Sequence, residues 1–185
     1  MVLPIVAYGD PILRKKGEEI KKNYPGLAEL IKNMFDTMEQ AKGVGLAAPQ
    51  VNKAIRLFIV DSRKMYDDED GDIGIREVFI NAQLLSESGM EWAYEEGCLS
   101  IPQIREDVFR QETIRIKYLD NEFRPQEKEF NGLTARVIQH EYDHIEGKLF
   151  IDYLKPLKKS LLKSKLDKIS KGEVSVDYKM KFPKN

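Results

Sequence analysis

QHEYDHIEG, residues 139–147, carries both histidines of this 185-residue chain, four positions apart, with a glutamate directly after the first. On an α-helix, residues four apart share one face a turn apart, so His140 and His144 can reach a single metal ion. Glu141 is rotated by about 100° from His140. It would stand beside such an ion, where a carboxylate can take a proton from a bound water. The flanks suit a helix over 132–146, with Asn131 a favourable N-cap and Gly147 just past the end. This is the H-E-x-x-H pattern. A chance match on a polar helix face competes with it, so the rest of the ligand set has to decide.

Catalytic metal sites usually have three protein ligands and one open position. No histidine follows His144, although acids such as Asp152 do. Upstream, YEEGCLSIPQ (94–103) offers Cys98, the only cysteine of the chain. Free cysteine is most often a small buried apolar residue. Gly97 and Pro102 argue instead for a shaped loop or strand edge, and a Cys98 thiolate there would complete a Cys-His-His set. GVGLAAPQ (43–50) fits the same site: Gly45 allows close backbone approach, and the Gln50 amide could donate to a developing oxyanion. It lacks the lysine of a phosphate-binding loop, which excludes nucleotide binding of that kind.

Around these stretches the pattern is mixed. PGLAELIKNMFDTMEQAKG (25–43) reads as an amphipathic helix through Leu27, Leu30, Ile31, Met34, Phe35 and Met38. IRLFIVD from Ile55, EVFINAQLL, TIRIKYLD and QEKEF read as strands. YDDEDGD (66–72) reads as an acidic surface loop. A lysine-rich helix runs from Pro156 to about Gly172, with the alternating EVSVDYKM after it a candidate strand. Several strands before one central helix predict an α+β domain.

With 42% hydrophobic and 33% charged residues and a net charge of −1, the chain is an ordinary soluble globular type with no global pull toward DNA or anionic membrane. No apolar run approaches a membrane span, and the start lacks a signal-peptide pattern. With one cysteine, a reducing cytoplasm is the expected compartment. Residues 155–185 differ from the rest, holding ten lysines against three acids, a balance of +7 that leaves −8 elsewhere. Such asymmetry suggests a polyanionic partner.

The three stretches GVGLAAPQ, EGCLS and QHEYDH, in that order, resemble the peptide deformylase family, and the likeness extends over most of residues 3 to 157. The resemblance implies a compact α+β domain with antiparallel sheets surrounding the HExxH helix. It implies hydrolysis of the formyl group from N-formylmethionine at the start of new polypeptides. It makes Cys98, His140 and His144 metal ligands, Glu141 the general acid/base, and Gln50 with the Leu99 N–H the oxyanion hole. Backbone groups of Val44, Gly45 and Gly97 would pair with the peptide, and a pocket near Val44, Leu133, Val137 and His140 would take the methionine side chain. The implied ion is Fe²⁺, for which Zn²⁺, Ni²⁺ or Co²⁺ can substitute. Tyr94 and Arg136 depart from the apolar residues common around that pocket. A catalytic domain of 1–157 with an attached helix and tail of 158–185 follows, the tail being a candidate contact with the ribosome near its exit tunnel. A zincin-like metallopeptidase, with a ligand downstream of His144, and a non-catalytic iron sensor, with no need of Glu141 or Gln50, are the alternatives.

Overall fold

The computed structural model describes residues 1–66 and 73–183. All but the first residue of the acidic loop expected at 66–72 lies outside them.

The expected strand after Ile55 is β3 (Leu57–Asp61), every residue of it buried. Its neighbours are β2 (Gly45–Ala47) on one side and β4 (Arg76–Cys98) on the other. EVFINAQLL and TIRIKYLD are parts of much longer elements. β4 has 23 residues, and β5 (Ile101–Leu119) has 19. They pair antiparallel as one hairpin, from Ile80↔Leu119 to Cys98↔Ile101, with register shifts that bend the ribbon. The β4 side of its outer part, from Leu85 to Glu95, is mostly exposed and has no hydrophobic period to mark it. β6 (Pro125–Asn131) closes an antiparallel sheet of order β2-β3-β4-β5-β6.

Two helices flank the sheet. α1 (Leu27–Gln40) begins a little later than Pro25, because Gly26 adopts the left-handed conformation at the N-cap. α2 (Gly132–Ile145) is the HExxH helix. It packs Ala135, Val137, Ile138 and Ile145 against Phe58, Val60, Phe79, Ile114 and Ile116 of the sheet. Asn131 holds the N-cap position, but its side chain makes no capping bond. The Tyr66 hydroxyl instead accepts from the Thr134 N–H at 2.9 Å, so one end-group of the helix is satisfied from a distant segment. At the other end Gly147 has φ +74°, and a Cβ there would lie 2.6 Å from the Arg14 carbonyl oxygen. The turn therefore needs glycine for both reasons.

The third helix, α3 (Pro156–Ser170), ends close to the expected position. Leu162, Leu166 and Ile169 join the cluster of Ile101, Ile104 and Val108 on β5. Leu157 and Leu161 point outward and are 75% and 69% exposed. The strand expected over EVSVDYKM is restricted to β7 (Met180–Lys181), which pairs in parallel with β1 (Ile5–Val6). Side chains from Glu173 to Met180 still alternate outward and inward, which explains the strand-like pattern. Residues 173–179 belong to no strand, and the chain bends at Asp177 and Tyr178.

Candidate active site

The two-residue turn between β4 and β5, Leu99–Ser100, brings the end of β4 against α2. Side chains alternate along a strand, so Tyr94, Glu96 and Cys98 share one face of β4. His140 and His144 are a turn apart on α2. The ligand atoms of Cys98, His140 and His144 all lie within 4.8 Å of one another. Cys98 Sγ is 3.3 Å from His144 Nε2. Donor types and spacing fit a tetrahedral thiolate–imidazole ion site. Asp152, the downstream alternative, is engaged elsewhere: it accepts from Arg14 at 2.5 and 3.1 Å and from the Leu149 N–H at 2.9 Å.

Behind the donors stands a charge cluster that the sequence did not reveal. Glu96 Oε2 lies 2.8 Å from His140 Nδ1. Because a carboxylate can only accept, Nδ1 carries a proton, so Nε2 is the nitrogen that would bind a metal once it gives up any proton of its own. Arg110 donates to both Glu96 oxygens at 2.7 and 3.0 Å, and Arg136 donates to Oε1 at 3.1 Å. Arg110 also donates to Asp143 at 2.7 Å, and Tyr153 donates to Asp143 at 3.0 Å. Burial opposes ionisation of Glu96, but the bonds from His140 and Arg110 outweigh it and hold the carboxyl far below its ordinary range. Burial would also lower His140, yet its bonds to Cys98 and Glu96 win and raise it. His144 moves the other way, lowered by burial and then by the positive charge of His140. Glu96 and Asp143 sit inside the EGCLS and QHEYDH stretches. A carboxylate two residues before the cysteine, on the same strand face, was the available signal.

Glu141 is buried beside the donors, and its Oε2 has no hydrogen-bond partner among the described residues. Burial, reinforced by the negative charges of Glu96 and Asp143, pushes its pKa up to about 7. An orphaned carboxylate oxygen of this kind fits a site that receives a proton-bearing ligand. Gly45 faces it so closely that a Cβ would lie 2.5 Å from Glu141 Oε1. Gln50 is oriented by its own loop: its Oε1 accepts from the Ala47 N–H at 2.9 Å. That leaves Nε2 to face Ser100 Oγ at 3.2 Å and Cys98 Sγ at 3.4 Å.

A cleft of about 680 Å³ opens over this centre. Val44, Gly45, Gln50, Gly97, Cys98, Leu99, Val137, His140 and Glu141 all line it, as the sequence reading grouped them. Leu133 is not among the residues that line it. It lies nearly two helical turns before His140, about 10 Å along the axis at 1.5 Å per residue. Tyr94 and Arg136 do line the cleft. The Arg136 guanidinium lies 4.5 Å from the centre of the Trp92 ring and 5.8 Å from that of Tyr94.

A buried carboxylate next to a Cys-His-His donor set, on a helix backed by an antiparallel sheet, belongs to the class of metal-dependent hydrolases. The polypeptide deformylase family model matches residues 2–160. A peptide deformylase of Christiangramia forsetii is 57% identical over 190 aligned positions, covering 99% of this chain and 97% of the relative. One from Flavobacterium johnsoniae is 52% identical, with 98% and 96% covered. The crystal structure of a peptide deformylase from Legionella pneumophila superposes with a TM-score of 0.80 at 39% identity, over 94% of this chain and 98% of that one. Peptide deformylase 1B of Arabidopsis thaliana, in complex with an inhibitor, gives 0.82 at 33%, with 92% of each chain covered. The chain belongs to the polypeptide deformylase family, whose enzymes are metal-dependent hydrolases that remove N-formyl groups from nascent peptides.

Proposed function

We propose that this chain hydrolyses the formyl group from N-formylmethionyl peptides, with Cys98, His140 and His144 holding one Fe²⁺. The convergence of those three donors beside the buried, unpartnered Glu141 carries the reading. When bound, the ion supplies Lewis acidity, making water a nucleophile near neutral pH. Glu141 takes the proton as that water attacks the formyl carbon, then delivers it to the departing amine nitrogen. Gln50 Nε2 and the Leu99 N–H donate to the oxygen that gains charge. Backbone groups of Val44, Gly45 and Gly97 hold the peptide as an added strand, and the methionine side chain packs near Val44 and Val137. Because thiolate and imidazole also suit zinc, nickel and cobalt, those ions can replace iron.

The engagement of Asp152 with Arg14 argues against a zincin-type ligand set. The open cleft and the oriented Gln50 amide argue against a sensor without chemistry. The catalytic domain is read as 1–157, with the lysine-rich helix and tail attached, and the compartment as cytoplasmic. No helix among the described residues is long and apolar enough to cross a membrane. On α3, lysines beside the outward Leu157 and Leu161 offer a surface for ribosomal RNA.

The test is formate release from a short formyl-Met peptide by anaerobically prepared protein, with metal measured on the same sample. Glu141→Gln should keep its metal and lose at least about two orders of magnitude in kcat. Substantial turnover in that variant would refute the role of Glu141.

A further inference from the structure

Beyond α3 the chain returns to the cleft. Ser175, Val176, Asp177 and Tyr178 line it together with Gly97 and Leu99. The return is pinned at both ends. Gln103 Nε2 donates to the Ser175 carbonyl at 2.9 Å. After Tyr178 the chain enters β7, where the Ile5 N–H donates to the Lys179 carbonyl and the Ala7 N–H to that of Lys181, both at 2.8 Å. Between the pins the Tyr178 ring packs on the cluster that contains Met38 and Leu46. Its hydroxyl donates to the Leu99 carbonyl at 2.8 Å.

The turn that carries Leu99 is gripped from several directions. The Ser100 carbonyl accepts from the Tyr8 N–H at 2.8 Å, and its hydroxyl lies 3.2 Å from Gln50 Nε2. Tyr178 adds the grip on Leu99 itself. The N–H and carbonyl of Leu99 lie on two rigid peptide planes hinged at one Cα. Loosening the second plane lets the first drift, and small misplacements of a donor are costly to rate.

We propose that Tyr178 is a positioning residue, whose hydroxyl fixes the Leu99 carbonyl and thereby the aim of the Leu99 N–H at the reacting oxygen. This rests on the reading of the cleft given above. Tyr178→Phe keeps the ring and removes the hydroxyl. The expected result is a kcat for a short formyl-Met peptide lower by about tenfold, with KM within about twofold because the donor acts mainly on charge formed in the transition state. Metal content and melting temperature should match the wild type. Lys179→Ala, one residue on and not among the cleft-lining residues, should leave all four quantities unchanged. A wild-type kcat in Tyr178→Phe overturns the proposal. So does a fall in kcat matched by loss of metal or by a lower melting temperature, since that marks a merely structural role. Glu141→Gln in the same assay separates the failures. An active Glu141→Gln variant removes the reading of the cleft, whereas an inactive one beside a normal Tyr178→Phe removes only the role of Tyr178.

Discussion

His140 Nδ1 and Glu96 Oε2 lie 2.8 Å apart, and the same carboxylate accepts from two buried arginines, Arg110 and Arg136. The bond to His140 sets the tautomer that leaves Nε2 available. Glu96→Ala should weaken metal affinity by about 10- to 100-fold, the usual effect of losing a ligand's orienting partner. It should also strand buried cationic charge and cost about 3–5 kcal/mol of stability. Competition with a chelator measures the first effect, and urea unfolding of metal-free protein the second. Unchanged metal affinity would mean that packing alone orients the His140 ring.

The contact between Gly45 and Glu141 makes a sharper prediction. A Cβ at position 45 would overlap the Glu141 carboxylate. Gly45→Ala should therefore displace Glu141 and cut kcat by about 10²-fold, while the three donors keep their metal. Loss of metal in step with activity would show that the added methyl disturbs the whole centre.

Cys98 completes the donor set, and its thiolate is the soft ligand of the three. Cys98→Ser should lower Fe²⁺ affinity sharply and abolish formate release. Stoichiometric metal with normal turnover would place the third ligand elsewhere.

Away from the centre, Asp61 accepts from Arg63 Nε and Nη2, both at 2.8 Å, and from Arg76 at 2.7 Å. The bonds from Arg63, helped by Arg76 and opposed by burial, lower its pKa from 3.8 to about 2. A carboxyl lowered in the folded state contributes stability above its unfolded pKa and loses it as pH falls through the folded value. Its contribution should be complete above about pH 4 and largely gone near pH 2. Because Arg63 is half exposed, screening limits the amount to about 1–2 kcal/mol. Urea unfolding of wild type and Asp61→Asn at pH 5.5 and pH 2.5 should give a gap that closes on acidification. A gap of equal size at both pH values would assign the difference to packing.

The lysines of α3 are not equivalent. Lys158 pairs with Glu106 at 2.9 Å, and Lys159 donates to the Asp152 carbonyl at 2.8 Å. Lys163, Lys165, Lys168 and Lys171 are exposed, so their combined replacement by glutamine tests the surface with least damage to the fold. Co-sedimentation with ribosomes should fall, and wild-type binding should weaken steeply with salt. Activity on a short formyl peptide should hold. Unaltered sedimentation would leave these lysines a solvation role.

Local chemistry made part of this protein legible in its sequence. The helical spacing of His140, Glu141 and His144 needs no knowledge of the rest of the chain, because one turn of α2 fixes their relative directions. The rarity of cysteine and histidine singled out Cys98, and Gly45 and Gln50 stood in a stretch with few other uses. β3 was readable because all of it is buried and every residue before its terminal Asp61 is apolar. The outer part of β4 was not, because its side chains from Leu85 to Glu95 are mostly exposed and carry no hydrophobic period. Leu133 shared a helix face with Val137 by spacing, yet only the packing of α2 on the sheet decides where along the helix the cleft begins.

Sequence by itself determined the donor types, the helix that carries two of them, and the carboxylate beside them, since each depends on contacts within a few residues. Tertiary structure alone decided what those groups can do. Glu96 reaches His140 across 44 positions, Tyr66 caps α2 from 68 positions away, and Tyr178 meets Leu99 from 79 away. Such contacts leave no periodic trace, because a hydrogen bond between distant segments is set by how the sheet bends and how the chain returns over it, not by the residues on either side.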